Sequence, residues 1–292
     1  MDKNTIVKYK EKRSFKKDIP LLPGYILMTF WVAFIVVALS WLIVASLSTT
    51  KSIFTNTMWQ DGFSLEHYID AFVRGNIGLY FINSIIYASS ACVGIICIAG
   101  PAAYVLSRKV FPARKILTTL FVASIGVPAI MIVMPIYFHA AQLKLIGTTG
   151  SMFVVILLYI ALNIPFGVFF LSAFFYTIPT AMEEAATIDG ATPEQAFWKV
   201  ILPLTQPAVV TLTIFNFIGV WNEYFIAVIF ANTAQTRTVT LAMRAMVMGM
   251  QYSGNWAGLF AAICIVFIPT VFIYLFLSEK IIAGITGGAM KG

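Results

Sequence analysis

Two groups of polar side chains interrupt an otherwise apolar chain and could take part in binding. The first group lies in segment 176–203 and consists of acidic residues followed by a lysine: Glu183, Glu184, Asp189, Glu194 and Lys199. The second group contains Asn216, Trp221, Asn222, Glu223 and Tyr224. Carboxylates near a helix start suit a basic partner surface, whereas amides and aromatic rings suit a hydroxyl-rich solute.

Motifs of enzymatic chemistry are missing from the sequence. It contains no G-x-x-x-x-G-K-[ST] phosphate loop and no nucleophile elbow. His67 and His139 are isolated, and Cys92, Cys97 and Cys264 lie in apolar stretches without metal-ligand spacing. We therefore expect no catalytic residue, no metal site and no cofactor in this chain.

The composition is typical of an integral membrane protein. Hydrophobic residues make up 60% of the 292 residues, charged residues 11%, and the mean hydropathy is +0.90. Lipid offers backbone groups no hydrogen-bond partner, so apolar stretches of this length must be helices. The predicted fold is all-α with six transmembrane helices, at 25–47, 79–106, 116–141, 151–175, 204–230 and 257–277.

Several features qualify these spans. Segment 25–47 is longer than the apolar core of about 7 to 15 residues in a secretory signal, so an uncleaved span is predicted. Glycine and proline predict kinks or locally opened backbone at five places: Gly100-Pro101, Gly126, Pro128, Pro135 and Pro165. Asn83 and Asn163 are predicted to form hydrogen bonds between helices.

The distribution of basic residues predicts that both termini are cytoplasmic. Seven basic residues lie in the first seventeen positions. With the N-terminus inside, inner segments hold fourteen of the nineteen lysines and arginines and outer segments hold five. The net charge of +7 is thus a topology signal and not a nucleic-acid footprint. Segment 176–203 then lies in the cytoplasm.

Segment 176–203, called the hairpin below, is predicted to contain two short capped helices. A capping-box pattern occurs twice, at Thr180 with Glu183 and at Thr192 with Gln195, where Pro193 occupies the first helical position.

The ends of these two helices are also marked in the sequence. Gly190 suits the left-handed conformation of a helix C-cap, because it has no Cβ. Leu202 and Pro203 are predicted to close the second helix, since proline has no N–H to donate.

The hairpin resembles the EAA loop of bacterial ABC importer permeases. The spacing matches that loop: Glu184-Ala185-Ala186 is followed after three residues by Gly190, after nine more by Val200, and after one more by Leu202-Pro203. Val200 stands where isoleucine is usual. Other stretches resemble the smaller permease subunit of maltose-type carbohydrate importers, over roughly 23–292: FINSIIYA from Phe81, AAYVLSRKVFPARK from Ala102, WNEYF from Trp221 and GITGGAMKG from Gly284.

This resemblance implies a type I ABC importer permease fold in the bacterial plasma membrane. The subunit would provide half of a translocation pathway for a sugar or oligosaccharide and would work by alternating access. Its implied partners are a second permease subunit in a heterodimer, two ATPase subunits that bind ATP and Mg²⁺, and an extracytoplasmic solute-binding protein.

The resemblance also implies roles for individual residues in the hairpin, which would be the coupling helix that seats in a cleft of the ATPase. The implied coupling residues are Glu183, Glu184, Ala185, Ala186, Asp189, Gly190, Leu202 and Pro203. Because the capping box already accounts for Glu183, Glu184 is the stronger candidate for the ATPase contact. Asp189 could instead merely flank the turn.

The polar cluster in the fifth span has three interpretations. Trp221 lies roughly 27 Å along the helix axis from Pro203, which places the cluster in the outer part of the membrane. Asn216, Trp221, Asn222, Glu223 and Tyr224 could line the translocation pathway. Alternatively, Trp221 and Tyr224 form an interfacial aromatic belt, or Asn222 or Glu223 ties the two permease subunits together.

The predicted organisation has three parts: a basic cytoplasmic tail at 1–24, a permease domain at 25–277 that includes the hairpin, and a C-terminal cytoplasmic tail at 278–292. Loop 231–256 lies outside. By resemblance it approaches the solute-binding protein, whereas a simple amphipathic helix packed on the bundle is the alternative. The end of the chain from Gly287 is predicted to be a small, flexible tail, which by resemblance reaches towards the ATPases.

An ion-coupled secondary transporter or channel is the competing functional class. It would carry acidic residues near the membrane midplane, whereas Glu223 is the one acidic residue inside a predicted span. A membrane-embedded enzyme would need clustered catalytic groups, which the sequence lacks.

Overall fold

The computed structural model describes residues 21–58, 62–147 and 150–289, without the side chains of 74, 251 and 277–289, and this part of the chain is helical with no strand. Most of the basic tail predicted at 1–24 lies outside the described residues. The helices are α1 (Leu22–Leu47), α2 (Thr50–Thr55), α3 (Glu66–Ile69), α4 (Ile77–Arg108), α5 (Arg114–Ile125), α6 (Ala129–Gln142), α7 (Gly150–Phe175), α8 (Ala181–Ile188), α9 (Pro193–Ala196), α10 (Leu202–Leu204), α11 (Gln206–Trp221), α12 (Phe225–Phe230), α13 (Val239–Ser253) and α14 (Trp256–Ala289).

Four of these helices, α1, α4, α7 and α14, are long and apolar enough to cross a membrane. Two bent pairs also qualify: α5 with α6, at 92°, and 193–204 with α11, at 74°. The all-helical membrane fold predicted from composition is confirmed, and the number of spans reaches six when each bent pair crosses as one.

Two predicted spans are divided. The span expected at 116–141 breaks between Ile125 and Ala129, at the predicted Gly126 and Pro128. Pro128 has an extended ψ of 131° and no N–H, so it cannot continue the preceding helix. The span expected at 204–230 breaks after Trp221, where α11 ends and α12 begins four residues later.

The other predicted interruptions lie inside continuous helices. Pro101, Pro135 and Pro165 are interior residues of α4, α6 and α7. Neighbouring helices and local backbone adjustments tolerate such prolines in membrane spans.

Helix α4 lies at the centre of the bundle and packs along α7, with α11 and α13 also against it. Gly167 of α7 allows the closest approach, since a Cβ there would lie 3.0 Å from the Ala99 Cβ and 3.2 Å from Ile95 of α4. Tyr87 of α4 and Tyr159 of α7 are almost completely buried at the same contact, with ring centroids 6.3 Å apart. Small residues at one level and aromatic rings at another bring these two spans together.

One end of α4 holds the segment that precedes α13. The Asn83 Nδ2 donates to the carbonyl oxygens of Gln235 at 2.8 Å and Arg237 at 3.0 Å. The Tyr87 hydroxyl donates to the Thr236 carbonyl oxygen at 2.9 Å. These bonds satisfy loop backbone that would otherwise be buried without partners.

The predicted interhelical hydrogen bonds of Asn83 and Asn163 are wrong. Asn83 bonds a loop, and the Asn163 Nδ2 donates to the Tyr159 carbonyl oxygen of its own helix at 2.8 Å. A residue four positions earlier in a helix presents its carbonyl on the same face, so this local bond forms most easily.

Loop 231–256 contains an amphipathic helix, as one of the two alternatives predicted. Helix α13 buries Val239, Leu241 and Ala242 against the bundle and exposes Met248 and Tyr252, at 60% and 87%.

The predicted flexible tail from Gly287 differs from the structure. Helix α14 continues to Ala289, so residues 278–289 extend the last helix, while residues 290–292 of the predicted tail lie outside the described part of the chain. Glycine costs a helix about 1 kcal/mol relative to alanine but removes no hydrogen bond, so Gly287 and Gly288 do not end it.

Candidate functional site

The hairpin consists of α8, a turn, and a second helical stretch made of α9, a π-helix at Phe197–Ile201 and α10. The turn has the left-handed backbone conformation that was predicted at Gly190. Gly190 has a φ of +82°, in the left-handed region, and a Cβ there would meet nothing within 4 Å. A side chain at this position is therefore disfavoured by backbone strain and not by crowding.

The second capping box is confirmed. The backbone N–H of Gln195 donates to the Thr192 Oγ1 at 3.3 Å, and the Thr192 N–H donates to the Gln195 Oε1 at 3.0 Å. Two N–H groups at the start of α9 are thereby satisfied without help from the bundle.

The first capping box, predicted at Thr180 and Glu183, is wrong. Thr180 has helical backbone angles, φ −62° and ψ −27°, and its side chain makes no capping hydrogen bond. A capping side chain needs the extended backbone that Thr192 has, with ψ 159°. Thr180 is already part of the helical turn that begins at Pro179.

Glu183 instead pairs with the end of α4. Its Oε1 lies 3.4 Å from the Arg108 Nε, and its Oε2 lies 3.7 Å from the Lys109 Nζ. The side chains of Arg108 and Glu183 are only 7% and 18% exposed. Contrary to the prediction, Glu183 therefore does not cap its own helix but makes a tertiary contact with the end of α4.

The outward surface of the hairpin is both acidic and apolar. Glu184, Ala185 and Asp189 are exposed, whereas Ala186 is buried against the rest of the hairpin. Large apolar side chains stand beside them in solvent: Met182 at 44%, Ile188 at 85% and Trp198 at 53% exposure. Large exposed apolar side chains together with charges are typical of a protein contact surface.

A shallow depression of about 270 Å³ separates the two hairpin helices. It is lined by Ala186, Asp189, Gly190, Ala191, Gln195, Lys199 and Val200. The turn at Gly190 therefore forms one wall of a concave surface that a partner side chain could enter.

The second hairpin helix is anchored by aromatic packing. The buried ring of Phe197 lies 4.9 Å from that of Tyr104 on α4 and 6.3 Å from that of Phe175 on α7. This helix ends at Leu204, slightly later than predicted from Leu202 and Pro203. The π-helix before Pro203 shifts the hydrogen-bond register, and the chain bends by 74° into α11 only after Leu204.

The polar cluster of the fifth span is partly internal to this chain. Trp221 is 3% exposed, with its ring 5.3 Å from that of Phe81 and 5.9 Å from that of Phe217. Asn216 is buried and its Nδ2 donates to the Leu212 carbonyl oxygen at 2.9 Å. Little of either side chain is left for an outside ligand.

Glu223 caps the short helix that follows the break. Its carboxylate accepts hydrogen bonds from the backbone N–H groups of Ile226 at 2.8 Å and Ala227 at 3.1 Å, and from the Tyr159 hydroxyl at 2.7 Å. The carboxylate satisfies free N–H groups at the start of α12 and ties that start to α7.

Asn222 and Tyr224 are the exposed members of the cluster. The Asn222 Nδ2 donates to the Ile218 carbonyl oxygen at 2.9 Å, and Tyr224 is 39% exposed. These two side chains flank the break on the accessible side of the span, so they are the ones available to a solute or a second subunit.

Sequence reasoning missed the roles of Arg108, Lys109, Ile188 and Trp198. The two basic residues were counted only as topology signals, although their place at the end of α4 and opposite an acidic hairpin helix offered a clue. The exposure of Ile188 and Trp198 carries no sequence signal, because apolar residues in the hairpin are equally compatible with burial. In the described parts of the chain, no group of His, Cys, Asp or Glu side chains could hold a metal ion.

Comparison with known proteins gives one consistent result. Residues 93–284 match the family described as "Binding-protein-dependent transport system inner membrane component". The chain is 32% identical over 270 residues to the diacetylchitobiose uptake system permease protein NgcG of Streptomyces coelicolor, covering 92% of this chain and 88% of that protein.

Two further similarities cover nearly all of the chain. It is 30% identical over 279 residues to the trehalose/maltose transport system permease protein MalG of Thermococcus litoralis, covering 94% of this chain and 98% of that protein. A solved bacterial ABC transporter involved in the import of the acidic polysaccharide alginate contains a chain with a TM-score of 0.77 and 20% identity, covering 91% of this chain and 98% of that one. The last similarity concerns the fold.

Replacing Glu223 by alanine is expected to destabilise the protein. The change leaves two N–H groups and the Tyr159 hydroxyl without their acceptor, which costs about 1–3 kcal/mol. Thermal unfolding of the detergent-purified protein measures this loss as a midpoint lowered by several degrees. Asn222→Ala, next in the chain and exposed, is the control, and equal melting of the two variants would contradict the capping role.

Proposed function

The chain belongs to the family of inner membrane components of binding-protein-dependent transport systems, and we propose that its hairpin is the surface through which separate ATPase subunits drive transport. The chain is a multi-pass permease subunit and not an enzyme. The competing class, an ion-coupled secondary transporter or channel, has no support from the family match.

The observation that carries this proposal is the exposed surface of the hairpin. Glu184 and Ile188 are exposed on the short helix α8, and Asp189 is exposed at its C-terminal end. A rigid element with exposed acidic and apolar side chains suits a basic, partly apolar cleft in a partner. A push on such an element passes to the bundle without being absorbed by loop motion.

The coupling surface that we propose comprises Glu184, Ala185, Ala186, Asp189 and Gly190, with Leu202 and Pro203 in the short helix α10 before the bend into α11. Glu183 belongs to the same helix but faces the bundle. The sequence contains no phosphate loop, so ATP and Mg²⁺ would be bound by the ATPase subunits.

The proposed assembly contains a second, different permease subunit, two ATPase subunits and an extracytoplasmic solute-binding protein. Among the described residues α1 packs mainly against α14, and most of its apolar side chains are exposed, which leaves apolar surface for a second permease subunit. Helix α13, which exposes Met248 and Tyr252 at the end opposite the hairpin, is the proposed contact for the binding protein.

The proposed solute is a sugar or an oligosaccharide. The named relatives are permeases for diacetylchitobiose and for trehalose/maltose. Transport would proceed by alternating access, with no chemistry performed on the solute.

Glu184→Lys and Gly190→Val are expected to abolish ATP-driven uptake while the protein still inserts in the membrane. The first change reverses the charge offered to the ATPase, and the second forces a β-branched side chain into the left-handed region. Co-purification of the ATPase subunits and ATP-driven sugar uptake into membrane vesicles measure the effect.

Glu194→Lys is the matched control, because Glu194 is an exposed acid at the start of the second hairpin helix. It should retain the ATPase and most of the uptake. Wild-type uptake by both Glu184→Lys and Gly190→Val would contradict the coupling role, and failure of the wild-type chain to retain any ATPase would contradict the importer assignment itself.

Within the polar cluster we propose that Asn222 and Tyr224 face the translocation pathway, while Asn216, Trp221 and Glu223 shape the span behind them. Asn222→Ala and Tyr224→Ala should then change the uptake rate or the apparent solute affinity, with the subunits still assembled. Purification of the complex and uptake at varied sugar concentration separate the outcomes. If the variants instead lose only the second permease from the purified complex, the result would favour a role in binding the two permease subunits together.

We propose that the hairpin and both termini are cytoplasmic. The structure groups Arg108, Lys109 and Arg114 at the hairpin end and Arg237 at the opposite end, beside Tyr80. The end with more basic residues is the inner one by the positive-inside rule.

A cysteine placed at Ala191, in a chain whose own three cysteines are replaced, should be protected from a membrane-impermeant maleimide in intact protoplasts. It should react in inverted vesicles. Asn232→Cys, exposed at the opposite end, should show the reverse pattern, and labelling of Ala191→Cys from outside would overturn the orientation.

A further inference from the structure

Helix α8 has almost no apolar anchor to the bundle. Of its eight residues Ala186 is the buried one, and Met182, Glu184 and Ile188 are exposed. The second hairpin helix has Phe197 in a buried aromatic cluster, but α8 has no equivalent side chain. Something else must hold α8 in place if it is to transmit a force.

The side chain that holds it is Glu183, through Arg108. Both charges are largely buried, and among the described residues neither the Arg108 Nε nor the Glu183 Oε1 has a hydrogen-bond partner. Their compensation is the ion pair between them, at 3.4 Å. Lys109 adds a second, more exposed charge at 3.7 Å and also lies over the Tyr104 ring, at 5.5 Å.

Helix electrostatics favours the same arrangement. Arg108 is the last residue of α4, where the backbone carbonyls carry partial negative charge, and Glu183 lies in the first turn of α8, where the N–H groups carry partial positive charge. Each charge is therefore favourable with its own helix as well as with its partner.

Arg108 also forms a hydrogen bond with the segment that leads into α8. One of its terminal nitrogens donates to the Ile178 carbonyl oxygen. Nearby, Arg114 donates to the carbonyl oxygens of Leu106 at 2.7 Å and Ser107 at 3.2 Å, and to the Tyr176 hydroxyl at 2.7 Å. The end of α4 and the segment that leads into α8 are thus joined by hydrogen bonds from two arginines, Arg108 and Arg114.

We propose that Arg108 and Glu183 form a latch that fixes α8 to the end of α4, so that a displacement of α8 by the ATPase moves α4 with it. These are positioning residues: they do not contact the ATPase but determine what its push reaches. This inference rests on the proposed function of the hairpin. Moving α4 would connect the two ends of the bundle, since this helix runs from the latch to the loop that Asn83 holds at the opposite end.

If the latch exists, removing the Arg108–Glu183 ion pair should uncouple ATP hydrolysis from sugar uptake. In Arg108→Gln/Glu183→Gln both buried charges are removed together and each position keeps a polar, unbranched side chain, so neither charge is left unpaired and the protein should fold and assemble. In the reconstituted complex with its ATPases, second permease and binding protein, the ATP hydrolysed per sugar transported should rise on the order of tenfold. An unchanged ratio would overturn the latch.

A charge exchange tests the pairing itself. Glu183→Arg and Arg108→Glu each leave two like charges facing each other and should lose most uptake. The double variant Arg108→Glu/Glu183→Arg restores opposite charges and should recover a substantial part of it, short of wild type because the bond to the Ile178 carbonyl is lost. A double variant no better than the worse single variant would contradict the pairing.

Glu184→Lys distinguishes failure of the latch from failure of the proposed function. If Glu184→Lys and Gly190→Val both leave ATPase binding and uptake unchanged, the hairpin does not couple and the premise of the latch fails. If Glu184→Lys abolishes both while the Arg108 and Glu183 variants act independently of each other, only the latch is wrong. Loss of ATPase co-purification in Glu183→Arg, not relieved by Arg108→Glu, would place Glu183 in the ATPase contact instead.

Discussion

The constraint on which this structure depends is that lipid supplies no hydrogen-bond partner to an interrupted backbone. At several places where a helix breaks or a loop enters the bundle, a polar side chain supplies the missing partner. Glu223 satisfies the start of α12, Asn83 and Tyr87 satisfy the loop before α13, and Arg114 satisfies carbonyl oxygens at the end of α4. These polar side chains therefore have structural roles, and the polar side chains that remain exposed are the candidates for contacts with other molecules.

Helix α4 provides many of these partners, and its position explains why. It packs along α7 and contacts α11 and α13, so both of its ends lie where other elements turn. At one end it holds the loop before α13 through amide and hydroxyl donors, and at the other it holds the hairpin through Arg108, with Arg114 of α5 bonded to the hairpin nearby. A rigid helix of 32 residues with fixed contacts at both ends can carry a displacement from one face of the membrane to the other.

The hairpin joins two kinds of attachment with different properties. Phe197 inserts into an aromatic cluster, which is insensitive to charge and holds the second helix firmly. The Arg108–Glu183 pair holds the first helix by charge, with little buried apolar area. As a result α8 keeps its acidic and apolar side chains free for a partner while remaining connected to α4.

The sequence by itself determined the class of the protein, the position of the hairpin, the turn at Gly190 and the capping box at Thr192. These features depend on composition and on residues a few positions apart, where backbone geometry follows directly from residue type. Even the family resemblance rested on short local motifs, in the hairpin and in four other stretches of the chain. Only the tertiary structure decided the partner of Glu183, the burial of Trp221 and the hydrogen bond from Tyr159 to Glu223. Each of these depends on a residue brought from a distant helix, Arg108, Phe81 or Tyr159, and no local pattern specifies which distant side chain will lie within reach.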